Sequence, residues 1–432
     1  MALTSRAGLV VLLGAVLVLL LPLGGATVAI VAGAVIVCAV ADLLLAAPVR
    51  VLGITRTGPP STKLGEPIAM RLVVANPSQR ALRALIRDAW QPSAGVRSDR
   101  HRVLIPAAES RALTTVLVPR RRGTRTADRV TVRSFGPLGI AARQRSRVVP
   151  GSVQVLPPFT SRRHLPERLA RLKEIEGIVA ARGRGQGTEF DTLRDYVPGD
   201  DVRTIDWRGT ARRDTVVVRT WRPERDRRIV IVIDTGRTSA ARVGDATRLD
   251  SAIDAALLLA ALAGRAGDRV DFLAYDVTTR AAVDRANRDT SLGSLVRSMT
   301  DLQPALVETD LTGLAVEVLR RVRGRRSLVV LFTGLDTVSV ESGLLPALGA
   351  LGRRHTVLIA AVGDPVVAEM ATGRGTAENV YAAAAAARVG AERRRSGELL
   401  RRRGAEVVDA APERFAPAVA DAYLSLKAAG RL

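Results

Sequence analysis

Cysteine is nearly missing from this chain: Cys38 is the only one in 432 residues. That excludes an internal disulfide framework and a multi-cysteine zinc site. Cys38 lies within an apolar run, where a thiol is inert. Histidine is almost as scarce. His101, His164 and His355 are far apart in the chain, and there is no H-E-x-x-H zinc pattern, G-x-S-x-G elbow, phosphate loop or dinucleotide fingerprint. Only Lys63, Lys173 and Lys427 of the 65 basic residues are lysine, so arginine carries the formal net charge of +23. Three readings of that charge compete: compositional bias toward Arg and Ala, attraction to an anionic membrane surface, and nucleic-acid binding. The third is disfavoured, because the arginines are scattered along the chain and, at 3% aromatic residues, no stacking platform is interleaved with them.

Charge is wholly absent from Ala7 to Ala41. One helix over that run would be about 52 Å long, well beyond the ~30 Å hydrocarbon core of a bilayer. Pro22, Gly24 and Gly25 break it in the middle. The expectation is a transmembrane helical hairpin within residues 1–50, with limbs at about 7–21 and 26–45. Arg6 precedes it, Arg50 and Arg56 follow it, and the turn carries no charge, which predicts a multi-pass cell-membrane protein with both termini and the soluble domains cytoplasmic. A cleaved signal peptide is the rival, disfavoured because a second apolar run follows at once. Asp42, near the inner end of the second limb, reads as an interfacial residue.

Residues 51–160 alternate and turn often. Ile68–Ala75, Ala112–Val118, Arg129–Arg133 and Val153–Leu156 read as strands, and no long helical period intervenes. This predicts a small β-sandwich. A linker helix over Pro166–Ile178 opens a segment, 161–227, whose Gly183, Gly185 and Gly187 suggest a flexible approach. From 228 to 432 strands and helices alternate: strands at Ile229–Ile233, Val270–Tyr275, Leu328–Phe332, Val357–Val362 and Val407–Val408, and helices at Leu249–Ala266, Leu311–Arg323, Asn379–Arg403 and Pro417–Leu426, the last with proline at its first position. The apolar run at Ile229–Ile233 fits a strand buried on both faces. The fold class is therefore multidomain, ending in a doubly wound α/β domain.

The densest feature is Gly185 to Arg212. It sets Glu189, Asp191, Asp195, Asp200, Asp201 and Asp206 among Arg194, Arg203, Arg208 and Arg212, with Phe190, Tyr196 and Trp207 between them. Pro198–Gly199–Asp200 is a turn, and Ile205 and Trp207 alternate with polar neighbours as in a half-buried strand that takes Trp207 into the core. Paired carboxylates suggest acid–base work, but no nucleophile–base pair accompanies them, so no catalytic residue is assigned. Two readings stay open: an interdomain clamp built on Asp–Arg pairs, and a partner-docking surface anchored by Arg, Tyr and Trp. Both place Glu189, Phe190, Arg194, Tyr196, Asp200, Asp201, Arg203, Asp206, Trp207 and Arg212 at the site.

Gly185, Gly187, Glu189, Phe190, Leu193, Arg194, Tyr196, Pro198, Gly199, Asp200, Asp201, Arg203, Ile205, Asp206, Trp207, Ala211 and Arg212 together resemble the signature of the domain of unknown function 58 family. The resemblance implies a von Willebrand A-like domain after the block and a metal-ion-dependent adhesion site in it, with the pattern Asp-x-Ser-x-Ser, then Thr, then Asp. Asp234 and Thr238 match the first loop and Thr309 the second, while Gly236 replaces a Ser and Gly334 the last Asp. Mg²⁺ is thus a possible but degenerate cofactor. The alternative is that Asp234 and Thr238 only cap the loop through hydrogen bonds. Association with MoxR-type AAA+ ATPases is also implied by the resemblance. The expected function is a non-enzymatic, membrane-anchored scaffold or adaptor for such an ATPase, with basic residues near Arg50, Arg56 and Arg120–Arg122 facing anionic lipid. The alternatives are a metal-dependent protein- or peptide-binding module, and a hydrolase using the signature carboxylates.

Overall fold

The computed structural model describes residues 2–20, 25–182, 189–222, 227–286, 291–322 and 326–432. The glycines at 183, 185 and 187 and the expected turn at Pro22 and Gly24 lie outside them. The chain divides into two compact units, Met1–Leu156 and Pro157–Leu432. The linker helix therefore belongs with the second unit, and the boundary falls at 156 rather than 160.

The first unit opens with β1 (Ala2–Leu3), α1 (Ser5–Leu20) and α2 (Gly25–Leu45). With the short turn that follows, α2 gives a 27-residue stretch, Gly25–Val51, of mean hydropathy 2.7, long and apolar enough to cross a membrane. α1 is apolar but shorter. Nine strands follow: β2 (Gly53–Thr57), β3 (Ser61–Lys63), β4 (Ile68–Ala75), β5 (Leu82–Trp90), β6 (Arg100–Ile105), β7 (Ser110–Leu117), β8 (Gly123–Phe135), β9 (Ala141–Arg147) and β10 (Ser152–Leu156). β2, β4 and β7 form a three-stranded antiparallel sheet. β8, thirteen residues long, joins most of the other strands into a larger sheet: it pairs with β5, β9 and β10. Period-two alternation turns Leu72, Val74 and Leu113 of the small sheet onto Leu82, Ala84, Ile86, Val130 and Val132 of the large one.

One inward position in this core is charged. Asp88 follows Leu82, Ala84 and Ile86 on the buried face of β5 and is fully buried. Its carboxylate accepts from the Arg56 guanidinium, from Thr115 Oγ1 (2.9 Å) and from Trp90 Nε1 (3.2 Å). Arg56 also donates to the Val149 carbonyl and lies 5.1 Å from the centre of the Trp90 ring. Its side chain is fully buried, and Arg122 is buried too. Neither therefore faces lipid as expected, whereas Arg50, Arg120 and Arg121 are exposed.

The second unit begins with α3 (Leu165–Arg182). Then come β11 (Glu189–Asp195), α4 (Trp207–Arg213) and β12 (Val217–Arg222), a two-stranded ribbon with a helix in its long connection. The α/β part comprises β13 (Arg228–Asp234), a small ribbon of β14 (Arg242–Val243) and β15 (Ala246–Thr247), α5 (Arg248–Arg265), β16 (Arg269–Tyr275), β17 (Thr279–Ala286), α6 (Ser291–Thr300), α7 (Leu311–Val322), β18 (Ser327–Phe332), α8 (Thr337–Ser339), α9 (Leu345–Leu351), β19 (Thr356–Val362), α10 (Pro365–Met370), α11 (Ala377–Arg402), β20 (Glu406–Ala410) and α12 (Pro412–Ala428). The sheet order is β17-β16-β13-β18-β19-β20, parallel except for the edge strand β17.

Ile229, Ile231 and Ile233 join a core with α5 and α12, while Val230 and Val232 join the opposite core with α7 and α9. That two-sided burial is why β13 is continuously apolar. The last helix starts at Pro412 rather than Pro417, which sits inside it. Pro412 takes the first-turn place that needs no N–H, and Phe415 and Ala416, ahead of Pro417, are already buried. On the same helix, Lys427 donates to Asp268 at 3.0 and 3.1 Å, and the Tyr423 hydroxyl donates to it at 2.5 Å. This buried network ties α12 to the start of β16.

Removing one partner of a buried ion pair strands the other, at a cost of about 3–5 kcal/mol. Asp88→Ala should therefore lower the stability of the full chain by about that much in urea unfolding, whereas Asp99→Ala, on a partly exposed pair with Arg87, should change it by less than about 1 kcal/mol.

Candidate functional site

Two groups of residues merit attention, both in the second unit. The first is the signature ribbon. Tyr196 donates its N–H to the Val216 carbonyl (2.8 Å), closing the end of β11 and β12. A turn over 197–200 follows, with Gly199 at φ 108°, a conformation open to glycine. Asp200 holds that turn: Val197 N–H donates to its Oδ2 at 3.0 Å and Arg194 Nη2 to its Oδ1 at 2.5 Å. The same bond raises the Arg194 pKa above its ordinary value. Asp201 caps the next turn by accepting from Arg203 N–H (2.9 Å). Asp206 caps α4, with Oδ1 accepting from Arg208 N–H (3.0 Å) and Gly209 N–H (2.9 Å), and Oδ2 from Arg219 Nε (2.8 Å). The Arg219 bond chiefly, and the two amides after it, hold the Asp206 carboxyl below the usual carboxylate range.

The strand expected through Ile205 and Trp207 is thus a cap followed by a helix. Asp206 is a strong N-cap residue, and its side chain decides the local structure against the alternation. Only Ile205 keeps a strand-like bridge, to Val218. Trp207 consequently leaves the core and is 68% exposed. Val197, Val202, Arg203, Arg208, Arg212 and Arg213 are also exposed, and Tyr196 is half-buried. Among the described residues none of these four arginines is ion-paired. Glu189 and Phe190 pair through their backbones with Arg222 and Trp221; their side chains lie outside the described residues, as do those of Asp191 and Trp221.

The second group sits where β13 and β18 end. β13 is flanked by β16, which follows it in sequence, on one side and by β18 on the other. Strand order reverses there, and ligands of open parallel sheets bind at such a place. Asp234 ends β13 and is buried. Its Oδ1 accepts from Gly236 N–H (2.8 Å) and Thr309 Oγ1 (2.5 Å), and its Oδ2 from Thr333 Oγ1 (2.6 Å) and Thr238 Oγ1 (3.1 Å). Asp234, Thr238 and Thr309 are therefore brought together, and Thr333 joins them from the third loop. A Cβ on Gly236 would overlap the Thr309 hydroxyl, so serine has no room there. Asp336 does not reach Asp234: it caps α8, accepting from Ser339 N–H (3.1 Å) and Ser339 Oγ (2.5 Å). Arg237 turns outward to Glu308.

Sequence reasoning missed Arg248. It lines a recess of ≈ 20 Å³ with Asp234, Thr238, Thr333 and Gly334, room for about one water. Its Nε is buried and has no hydrogen-bond partner among the described residues. Burial, and then the nearby Arg393, lower its pKa. Nothing in the local sequence marks it, because Thr247 and Asp250 beside it read as an ordinary capping box.

This donor set does not suit a divalent ion. A single carboxylate has both oxygens engaged by hydroxyls and an amide, and a guanidinium lines the same recess. Among the described residues no group of three or more His, Cys, Asp or Glu side chains could hold a metal. The geometry agrees with Asp234 acting as a hydrogen-bonded tie between three loops.

Residues 192–389, which take in the second group and all but the first residues of the ribbon, match the family model described as "Protein of unknown function DUF58". The chain carries a DUF58 region. Uncharacterized proteins of Mycobacterium tuberculosis and Mycobacterium bovis are 30% identical to it over 183 residues, covering 42% of this chain and 56% of theirs. The chain thus spans about half the length of the curated relatives it matches. Among solved structures, the CARDB domain of a Pyrococcus furiosus protein, crystallised in complex with di-metal ions, is similar at 15% identity and TM-score 0.19, covering 26% of this chain and 91% of that one.

Two outcomes follow for the DUF58 region. Asp234→Ala strands three hydroxyls and an amide and should cost about 1–3 kcal/mol in urea unfolding, while EDTA should leave the wild-type thermal midpoint unmoved; a midpoint that rises with Mg²⁺ contradicts the fit described above. The depressed Asp206 pKa stabilises the ribbon at pH values above the carboxyl's ordinary range, and that contribution is lost as pH falls through the folded pKa. The protection factors of the α4 amides, that is exchange rates corrected for the intrinsic slowing in acid, should therefore fall on acidification below about pH 4, and an Asp206→Asn chain should show a smaller change.

Proposed function

We propose that the protein is a membrane-anchored scaffold or adaptor, not an enzyme, whose signature ribbon docks a partner protein. One observation carries this reading. The ribbon spends the carboxylates of Asp200, Asp201 and Asp206 on its own turns and caps, and leaves Trp207 exposed with Arg203, Arg208, Arg212 and Arg213. Carboxylates committed to backbone amides are poor acids and bases for a substrate. Trp and Arg on an outer face are the residue types that anchor interfaces. The resemblance stated above favours a MoxR-type AAA+ ATPase as the partner and a von Willebrand A-like reading of the α/β part.

The membrane arrangement belongs to the same proposal. Thr4 and Arg6 at the start of α1, and Asp42 and Leu43 at the end of α2, all bond to residues 138–143 of the first unit. The two apolar helices therefore begin and end on the same side. If α2 crosses the bilayer, α1 returns it, giving a two-pass hairpin with the soluble part on the side of Arg6 and Arg50. Positive charge at those ends favours the cytoplasm.

The test is a pull-down of the full chain in mild detergent, with and without Mg²⁺. Co-purification of an AAA+ ATPase that is lost with Trp207→Ala/Arg203→Ala, or with Tyr196→Ala/Arg203→Ala, and kept with Asp234→Ala supports the adaptor. Binding that requires Mg²⁺ and Asp234 replaces it with a metal-dependent protein- or peptide-binding module. A turnover lost on Asp200→Ala/Asp201→Ala with the fold intact replaces it with a hydrolase.

A further inference from the structure

The turn between β8 and β9 with the first residue of β9, residues 136–141, has the sequence Gly-Pro-Leu-Gly-Ile-Ala. Four consecutive amides in it point at one carboxylate. Leu138 N–H (2.8 Å) and Gly139 N–H (3.3 Å) donate to Asp42 Oδ1, and Ile140 N–H (2.7 Å) and Ala141 N–H (2.8 Å) to Asp42 Oδ2. Asp42 is fully buried, and it lies in the last turn of α2. The geometry points to a carboxylate-binding site on the sheet unit whose ligand is the chain's own apolar helix. Through it we propose that the β-sheets of the first unit are seated on the membrane span as one rigid body, rather than hung from it by a linker.

Three features carry the inference. Successive backbone N–H groups turned to one side make an anion-binding concavity, and bonds from amides to a charged acceptor are stronger than neutral ones. A buried carboxylate without such donors would be expensive, so Asp42 and the turn hold each other in place. Gly136 completes the site, because any Cβ there would overlap the Asp42 carboxylate.

The clasp is two-sided. Thr4 Oγ1 donates to the Gly139 (2.6 Å) and Ile140 (3.0 Å) carbonyls, and β1 pairs with Ala141 and Ala142. The last carbonyls of α2, which lack partners within the helix, are also taken by the sheet unit: Leu43 O accepts from Arg143 Nε (2.9 Å) and Leu44 O from the Arg80 guanidinium. The turn is thus gripped by the start of α1 and the end of α2, while Arg143 of β9 and Arg80 of the β4–β5 connection grip the helix end in return.

Amide hydrogen exchange on the full chain in mild detergent tests the lock, and needs neither the partner nor the bilayer orientation of the proposed function. In the wild type, the amides of residues 138–141 should exchange as slowly as those of β4 and β5. Asp42→Ala and Gly136→Ala should each speed exchange at 138–141 by roughly tenfold or more, leaving β4 and β5 protected. Asp42→Asn keeps the shape but replaces one accepting oxygen with a donor, and should speed exchange at only part of the turn. Fast exchange at 138–141 in the wild type, or unchanged exchange there in Asp42→Asn, overturns the proposal. If Asp42→Ala or Gly136→Ala unfolds, the wild type and Asp42→Asn still decide.

Discussion

A carboxylate removed from water needs donors, and this chain supplies them from its backbone and its hydroxyls. Asp234 is the clearest case. Three loops at the end of the α/β sheet meet on its two oxygens, and without it Thr238, Thr309 and Thr333 would have no common partner. The same chemistry recurs at Asp88 between the sheets, at Asp206 under α4 and at Asp42 beneath the β8–β9 turn. In each, a side chain that could do acid–base or metal chemistry is consumed in fixing where the backbone goes. The surface of the signature ribbon is defined by what remains after that consumption: an indole and several guanidinium groups.

Much of the α/β part could be read from the sequence. Its strands are buried on both faces, so unbroken apolar runs such as Ile229–Ile233 and Val357–Val362 name them, and the helical stretches between them, such as Leu249–Ala266 and Asn379–Arg403, are read to within a few residues. The sheets of the first unit were only partly legible. β5 and β6 went unread because arginines at alternate positions and a buried Asp88 dilute the pattern. Ile205–Trp207 misled because alternation over a few residues is weaker than one good N-cap at Asp206. The convergence of Asp234, Thr238 and Thr309 was legible through the family resemblance. The same resemblance put Thr333 and Gly334 on the third loop, and Thr333 joins as the fourth partner; Arg248 as their neighbour was not legible, since it depends on which loops the sheet order brings together.

The near-absence of lysine also has a structural side. Arg80, Arg143 and Arg147 each reach a backbone carbonyl near the first helices. Guanidinium is suited to this because its fork offers several donors in fixed directions. Arg56 uses that fork twice, on Asp88 and on the Val149 carbonyl, and also lies over the Trp90 ring. An ammonium at that position has no fork to place two nitrogens on two acceptors.

The few lysines are placed so that only two are open to reagents. Lys427 is locked against Asp268 and Tyr423 inside the second unit, whereas Lys63 in the first unit and Lys173 in the second are exposed. Side-chain amine chemistry on the folded protein therefore has one address per unit. A spacer that bridges Lys63 to Lys173 is a ruler laid between the two bodies.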